Sequence, residues 1–366
     1  MIDKGGKINA GYIPEVKGMQ NEVYRQLPGA LLPWYRENCR VLPWRQSREP
    51  YHIWLSEIML QQTRVEAVKG YYQRFLEALP TIEALSKADD GQLSKLWEGL
   101  GYYSRVRNLK RAAVQIMEHH GGSFPRDYDS VLALPGVGEY TAGAICSIAF
   151  NQPRAAVDGN VLRVISRLTL DDTPIETPTF KKQVRLALEA VYPQEAGSFT
   201  QALMELGATL CGPNWKPRCE QCPCRSFCGG AITGTAENYP VKKPKRKRRE
   251  EQLTVFLLSC EGRYALQKRP DTGLLAGLYQ FPNISGHHAL SDTLERLRSM
   301  GIQPKEVHRV LKRQHIFTHI RWDMEGIFLE VTEPAADLIW MTREEIENQA
   351  ALPTAFRQFW EEIQNV

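Results

Sequence analysis

The 366-residue sequence has no apolar run long enough to cross a membrane, and its opening residues, MIDKGGKINAGYIPEV, lack the apolar core of a secretory signal. These two absences exclude a membrane-embedded or exported reading and leave the expectation of a cytoplasmic, nucleoid-associated protein. Internal repeats are missing as well. So is any large excess of one charge: the net charge of +4 is too small by itself to imply a nucleic-acid partner. Up to about Gly230 no alternating strand pattern competes with helix. A disulfide framework is excluded too, because a reducing compartment would not maintain one in a chain with eight cysteines.

A length of 366 residues, 43% of them hydrophobic and 24% charged, suits a soluble protein of two domains. From Glu22 to about Gly230 apolar residues recur at helical spacing, as in PYHIWLSEIMLQQTRVEAVKGYYQRFLEAL, with a break near Gln61–Thr63. RVRNLKRAAVQIMEHHGG predicts a helix ended by a glycine pair. Seven basic residues fall between Lys242 and Arg249 in a stretch without apolar periodicity, which predicts a basic linker over 231–252. From Leu253 the texture changes to short strands, LTVFLLSC and RYALQKRP around a tight Glu-Gly turn, and the chain closes on helix. Residues 1–21 are expected as an extension, 22–230 as an all-α domain and 253–366 as an α+β domain.

Three local patterns carry chemistry. In LPGVGEYTAGAI, Gly136 and Gly138 flank Val137 just before a helix start, where uncovered amides and the helix dipole favour an anion such as a DNA phosphate, although a plain helical turn is the simpler reading of the two glycines alone. Twenty residues on, Asp158 opens DGNVLRVISRL. The spacing leaves two roles even, an N-cap or a carboxylate that stabilises developing positive charge. Cys211, Cys219, Cys222 and Cys228, with Cys224 among them, have metal-ligand spacing that suits either zinc or a [4Fe–4S] cluster. Lys216, Arg218 and Arg225 beside them suggest a loop that touches phosphate. Cys39, Cys146 and Cys260 are expected as buried, unreactive cysteines.

LPGVGEYTAGAI, VDGNVLRV and the cysteine cluster together resemble the iron–sulfur branch of the helix-hairpin-helix DNA glycosylase superfamily. PWR, PYHIWLSEIMLQQTRV and GLGYYSRVRNL narrow that resemblance to the MutY-type adenine DNA glycosylases, over about Leu42 to Phe359. The fold implied is multidomain: an all-α helix-hairpin-helix glycosylase domain with a cluster loop, then an α+β Nudix-like domain. Glu57 then matches the acid that protonates the departing adenine. On the residues alone an exposed glutamate is the simpler reading, although Trp54 and Ile58 on the same helix point to an apolar pocket that would raise its pKa. Asp158 matches the carboxylate that stabilises an oxocarbenium-like sugar. Asn160 and Tyr140 match positions that hold the site.

A lysine stands at the position of Tyr140 in strand-cutting relatives, where it forms a Schiff base. A phenol cannot form an imine, so the resemblance implies a monofunctional enzyme that leaves an abasic site. Gln62, Thr63, Leu100 and Tyr102 fall in elements that fill the space of an extruded base, with a core aromatic as the simpler reading of Tyr102. Trp44 and Arg45 would line the adenine pocket. The four cysteines at 211, 219, 222 and 228 would hold a [4Fe–4S] cluster, although their first gap is one residue longer than the family's usual six.

TGLLAGLYQFP resembles the family's Nudix-like domain, while ISGHHALSDTLERLRSMG carries one glutamate, Glu295, where a Nudix hydrolase needs several for magnesium. A reader rather than a hydrolase is implied. Phe317, Thr318 and His319 match the loop that contacts 8-oxoguanine, with threonine in place of the usual serine. The implied partner is double-stranded DNA with an A:8-oxoguanine or A:G mispair, bound by a monomer.

Overall fold

A computed structural model describes residues 14–244 and 247–363, with the backbone alone for 14–21. Residues 1–13 of the expected extension lie outside the described part, and helix α1 (Pro14–Asn38) already runs through the remainder. The chain continues through α2 (Pro50–Leu60), α3 (Val65–Ala78), α4 (Ile82–Lys87), α5 (Asp90–Leu96) and α6 (Ser104–His119). Then follow α7 (Tyr128–Leu132), α8 (Glu139–Ile148), α9 (Gly159–Thr169), α10 (Pro178–Glu189), α11 (Ala196–Thr209) and the short α12 (Gly229–Ile232). Contacts divide the described residues into two compact units, 14–61 with 119–244 and 62–118 with 247–363.

The first unit is helical. Helix α9 buries Val161, Leu162, Val164, Ile165 and Leu168 against Leu27 and Leu31 of α1 and Phe199, Leu203 and Leu206 of α11. Helix α2 differs in kind: every residue from Ile53 to Met59 is buried. A helix covered all round has no solvent face, so a carboxylate within it must be held by protein. Helices α7 and α8 form a hairpin whose turn needs Gly136, at φ +79°. A Cβ on Gly143 would stand 2.4 Å from the carbonyl oxygen of Ala155, so α8 and the segment leading into α9 touch backbone to backbone. Val241 and Lys243, expected in the linker, are tied to this unit through Ile175 N–H to Val241 O (3.2 Å) and Lys243 N–H to Glu176 Oε2 (3.2 Å).

The second unit holds a mixed sheet. Its strands are β1 (Arg249–Cys260), β2 (Arg263–Lys268), β3 (Tyr279–Gln280), β4 (Asn283–Ser285), β5 (Pro304–Ile316), β6 (Ile320–Val331) and β7 (Ile339–Thr342). The path is β3-β2-β1-β6-β5, with β4 on β1 and β7 on β2; β1 and β6 run parallel and the other pairs antiparallel. Glu261 and Gly262, both at positive φ, make the tight turn between β1 and β2. Alternation along β1 sends Val255 and Leu257 to one face, with Phe356, Phe359 and Trp360 of a closing helix α15 (Thr354–Ile363). Phe256 and Leu258 go to the other, with Leu297 of α13 (Leu290–Ser299). A capped helix, α14 (Arg343–Gln349), follows β7.

Residues 62–118 join this unit through side chains of α5 and α6 and the loop between them. Glu98 accepts from Leu352 N–H (3.0 Å) and pairs with Arg357 (3.3 Å), and Arg107 donates to Ala276 O (3.0 Å). Strand β1 begins inside the stretch expected as linker because Arg249 N–H bonds His319 O at 2.9 Å.

Candidate active site

Glu57 is 5% exposed, within the buried run Ile53–Met59 of helix α2. Tyr140, in the first turn of α8, donates a 2.6 Å hydrogen bond to Glu57 Oε2. Burial raises the Glu57 carboxyl to about 7, against the Tyr140 bond and Arg45, which favour the charged form, and with Asp158, which opposes it. A carboxyl with that pKa holds a proton near neutral pH and can release it in a reaction. Tyr140 is itself raised well above an ordinary phenol, first by burial and then by Glu57 and Asp158, so it remains a neutral donor.

Asp158 turns out to be an N-cap: its Oδ1 accepts from Val161 N–H at 2.8 Å. It carries a second bond, from Asn160 Nδ2 to Oδ2 at 2.6 Å. Burial raises its pKa, and the two hydrogen bonds and Arg163 work against the rise. Capping and charge stabilisation are thus compatible in one side chain, because the cap uses one carboxylate oxygen. Asn160 Oδ1 in turn accepts from Arg163 (2.8 Å), whose guanidinium also donates to the carbonyls of Gly207 (2.8 Å) and Cys211 (2.8 Å). A continuous hydrogen-bonded path therefore runs from Asp158 to the backbone of the first clustered cysteine.

Arg45 and Trp44 lie on a single turn, Pro43–Arg45, and Trp44 is buried. Arg45 donates at 2.6 Å to Glu205, which Arg40 also grips at 2.7 and 2.9 Å. Glu205 is fully buried, and these guanidiniums keep its carboxyl below the usual range despite burial. Sequence reasoning missed it; the signal was available, a lone carboxylate in the apolar helix AGSFTQALMELGAT. In the hairpin, Val137 is buried while Gly136 and Gly138 are exposed, and α8 has no side-chain cap on its first-turn amides.

In the second unit, Tyr102 is 47% exposed, which removes the core-aromatic alternative. Its hydroxyl donates to Gln62 Oε1 at 2.6 Å and lies 2.8 Å from Thr318 Oγ1. With the phenol's one proton on Gln62, Thr318 is the donor of the second bond. Gln62 and Tyr102 both sit at positive φ, +59° and +47°, a conformation that costs a non-glycine residue energy and clusters at functional sites. Thr63 and Leu100 face inward: Leu100 is buried, and the Thr63 hydroxyl and Leu100 carbonyl accept from Arg105. Thr318 and His319 are exposed, whereas Phe317, expected as a wedge, packs edge-on against Trp322 (4.8 Å) and His315 (4.5 Å).

Cys211, Cys219, Cys222 and Cys228 line one cavity with Arg167, Leu210, Pro217 and Ala236; Cys224 does not line it and is fully buried in the helical core. Arg167 donates to Cys211 Sγ at 3.2 Å. Around a single zinc ion, sulfurs would stand about 4 Å apart, from Zn–S bonds of about 2.3 Å. Among the described residues the metal-capable group with ligand atoms all within 4.8 Å is Glu306, His308 and Glu330, and no three cysteines meet that limit. Arg225 is paired with Glu220 at 2.5 Å, and Lys216 and Arg218 are exposed, Arg218 at the edge of the cysteine cavity. Cys146 and Cys260 are buried as expected; Cys39 is only partly so, because it follows the end of α1.

Residues 55–193 match the HhH-GPD superfamily of base excision DNA repair proteins, and 254–362 match the NUDIX domain family. The adenine DNA glycosylase of Rattus norvegicus is 35% identical, over 90% of this chain and 76% of that protein. That of Homo sapiens is 34% identical over 90% and 72%. That of Buchnera aphidicola subsp. Baizongia pistaciae is 31% identical over 83% and 86%. A solved structure described as a thermostable thymine-DNA glycosylase is 28% identical and superposes with a TM-score of 0.51, over 60% of this chain and 99% of that one.

Proposed function

The chain belongs to the adenine DNA glycosylase family of helix-hairpin-helix base excision repair proteins, and from that premise we propose that it hydrolyses the N-glycosidic bond of adenine opposite 8-oxoguanine or guanine and leaves an abasic site. The observation that carries the reading is the buried Glu57 bonded to a tyrosine rather than facing a lysine. Glu57 protonates the adenine as the bond to the sugar breaks. Asp158, ionised and held by Val161 N–H and Asn160, stabilises the positive charge left on the sugar. Water then adds, with Glu57 taking its proton, the division of labour of two carboxylates about a glycosidic bond.

Target and opposite base are handled by different parts. Residues of the first unit perform the chemistry, with Gly136, Val137 and Gly138 receiving a backbone phosphate and Trp44 and Arg45 bordering the adenine. Gln62, Tyr102, Thr318 and His319 of the second unit read the opposite base once adenine has left the stack. The residues 254–362 serve as a Nudix-like reader. Cys211, Cys219, Cys222 and Cys228 hold a [4Fe–4S] cluster, which supplies structural cross-linking of the loop that carries Lys216 and Arg218 to DNA. The enzyme acts as a monomer on nucleoid DNA; among the described residues no helix is long and apolar enough to cross a membrane.

Single-turnover excision from a duplex with one A:8-oxoguanine pair tests this. Wild type should release adenine without strand cleavage, and Glu57→Gln should bind the duplex but release none. Excision by that variant within a few-fold of wild type would remove Glu57 from its role.

A further inference from the structure

Arg105, on α6, is 7% exposed, and its guanidinium is surrounded by the two segments that carry Gln62 and Tyr102. Nη2 donates to the carbonyls of Leu100 and Gly101, both at 3.0 Å, and Nη1 and Nη2 reach the Thr63 hydroxyl at 3.5 and 3.4 Å. The same guanidinium lies over the rings of Trp97 (5.3 Å) and Tyr102 (5.6 Å), and Trp97 Nε1 shares the Gly101 carbonyl at 3.1 Å. A buried guanidinium is expensive unless its donors are satisfied. The acceptors that its Nη atoms meet include two backbone carbonyls and a hydroxyl, all on the two loop segments.

We propose that Arg105 is a positioning residue for opposite-base recognition: its planar fork joins 62–63 and 99–102 into one rigid element that holds Tyr102 against Thr318. This rests on the mispair reading above. Three links carry it. The carbonyls of Leu100 and Gly101 precede Tyr102 and point inward, where Gly101 and Tyr102 adopt positive φ, +70° and +47°. The fork reaches both carbonyls and Thr63 at once, which the single ammonium of lysine cannot do with the same geometry. Tyr102 then bonds Gln62 on one side and Thr318 on the other, so displacement of the 99–102 turn disturbs three of the groups proposed to face the opposite base, Tyr102, Gln62 and Thr318.

The test compares single-turnover excision from A:8-oxoguanine and A:G duplexes by wild type, Arg105→Lys and Thr63→Val, with thermal unfolding of each. The expected result is a roughly tenfold fall in the 8-oxoguanine preference for Arg105→Lys and a smaller fall for Thr63→Val, which removes one acceptor and leaves the arginine. Equal losses on both duplexes, with the ratio preserved, would show a merely structural arginine and overturn the proposal. So would a ratio within twofold of wild type. If Arg105→Lys does not fold, Thr63→Val decides by the same ratio. Absence of any preference in wild type would instead refute the mispair reading, a distinct outcome.

Discussion

The hydroxyl of Tyr140 stands 2.6 Å from Glu57 Oε2 and donates to it, so the residue proposed to decide between hydrolysis and imine chemistry also moderates the acidity of the proposed proton donor. Burial lifts Glu57 to about 7 and the phenol limits the rise.

A pH dependence follows. Excision needs protonated Glu57 and ionised Asp158, so the rate should fall as pH rises through about 7 and fall again at acid pH, where the raised Asp158 takes a proton. Tyr140→Phe removes a bond that favours the carboxylate, so the alkaline limb should move to higher pH in single-turnover profiles. An unmoved limb would contradict the assignment. Stability has a matching sign. A raised folded-state pKa contributes stability that is present below the unfolded value of 4.5 and lost as pH rises through about 7. Glu57→Gln should therefore gain on wild type in thermal unfolding between pH 5 and pH 8, by up to on the order of 3 kcal/mol.

Imine chemistry gives the second prediction. Borohydride should trap almost no enzyme–DNA adduct, and strand breaks should need added alkali or heat. Lys110 Nζ donates to Asp90 Oδ1 at 2.7 Å. Tyr140→Lys should restore some trapping; efficient trapping by wild type would refute hydrolysis by water.

Asp158→Asn separates the two roles of this residue. Asparagine caps helices about as well as aspartate, so α9 should persist and the unfolding temperature change little. Excision should fall by orders of magnitude, because a neutral amide gives little stabilisation to a cationic sugar. A large loss of stability with excision retained per folded molecule would leave Asp158 a cap alone.

The cysteines make the fourth. Purified protein should be yellow-brown, with about four irons per chain. Cys222→Ser should lose iron; Cys224→Ala should keep it, since Cys224 does not line the cavity that the other four share. Stoichiometric zinc would overturn the cluster.

Much of this was legible in the chain and some was not, for definable reasons. The break at Gln61–Thr63, the Gly136–Gly138 turn and the Glu261–Gly262 hairpin were readable because turns and helical periodicity are local signals. Burial of Glu57 was only half readable: Trp54 and Ile58 mark one apolar face, whereas its neighbours are covered all round by tertiary packing. Glu205 and Arg163 escaped notice because their partners are distant in sequence, Arg40 and Arg45 for one, Cys211 and Gly207 for the other. The inward packing of Phe317 escaped for a different reason: Trp322 is near in sequence, but the turn between β5 and β6 is what brings its ring onto Phe317. The grouping of 62–118 with the C-terminal strands depends on ion pairs and backbone bonds, such as Glu98 with Arg357 and Leu352, that no periodicity records.

Those same contacts decide how the reader should be tested. Truncation before Leu253 would strip Glu98 and Arg107 of partners and disturb more than recognition, so side-chain changes at Thr318 are cleaner. 8-Oxoguanine differs from guanine by an oxygen at C8 and a hydrogen at N7, differences that only a placed donor or acceptor can sense. Thr318 carries such a group, bonded at 2.8 Å to Tyr102. Thr318→Ser keeps the hydroxyl, drops the methyl and should retain the preference. Thr318→Val keeps the branched shape, drops the hydroxyl and should lower the 8-oxoguanine to guanine rate ratio by about tenfold to a hundredfold, the worth of one base-edge contact of about 1–3 kcal/mol. Adenine excision from the A:G duplex should change far less, because Glu57 and Asp158 are untouched. Equal ratios for the serine and valine variants would place the reading on His319 or on the backbone instead.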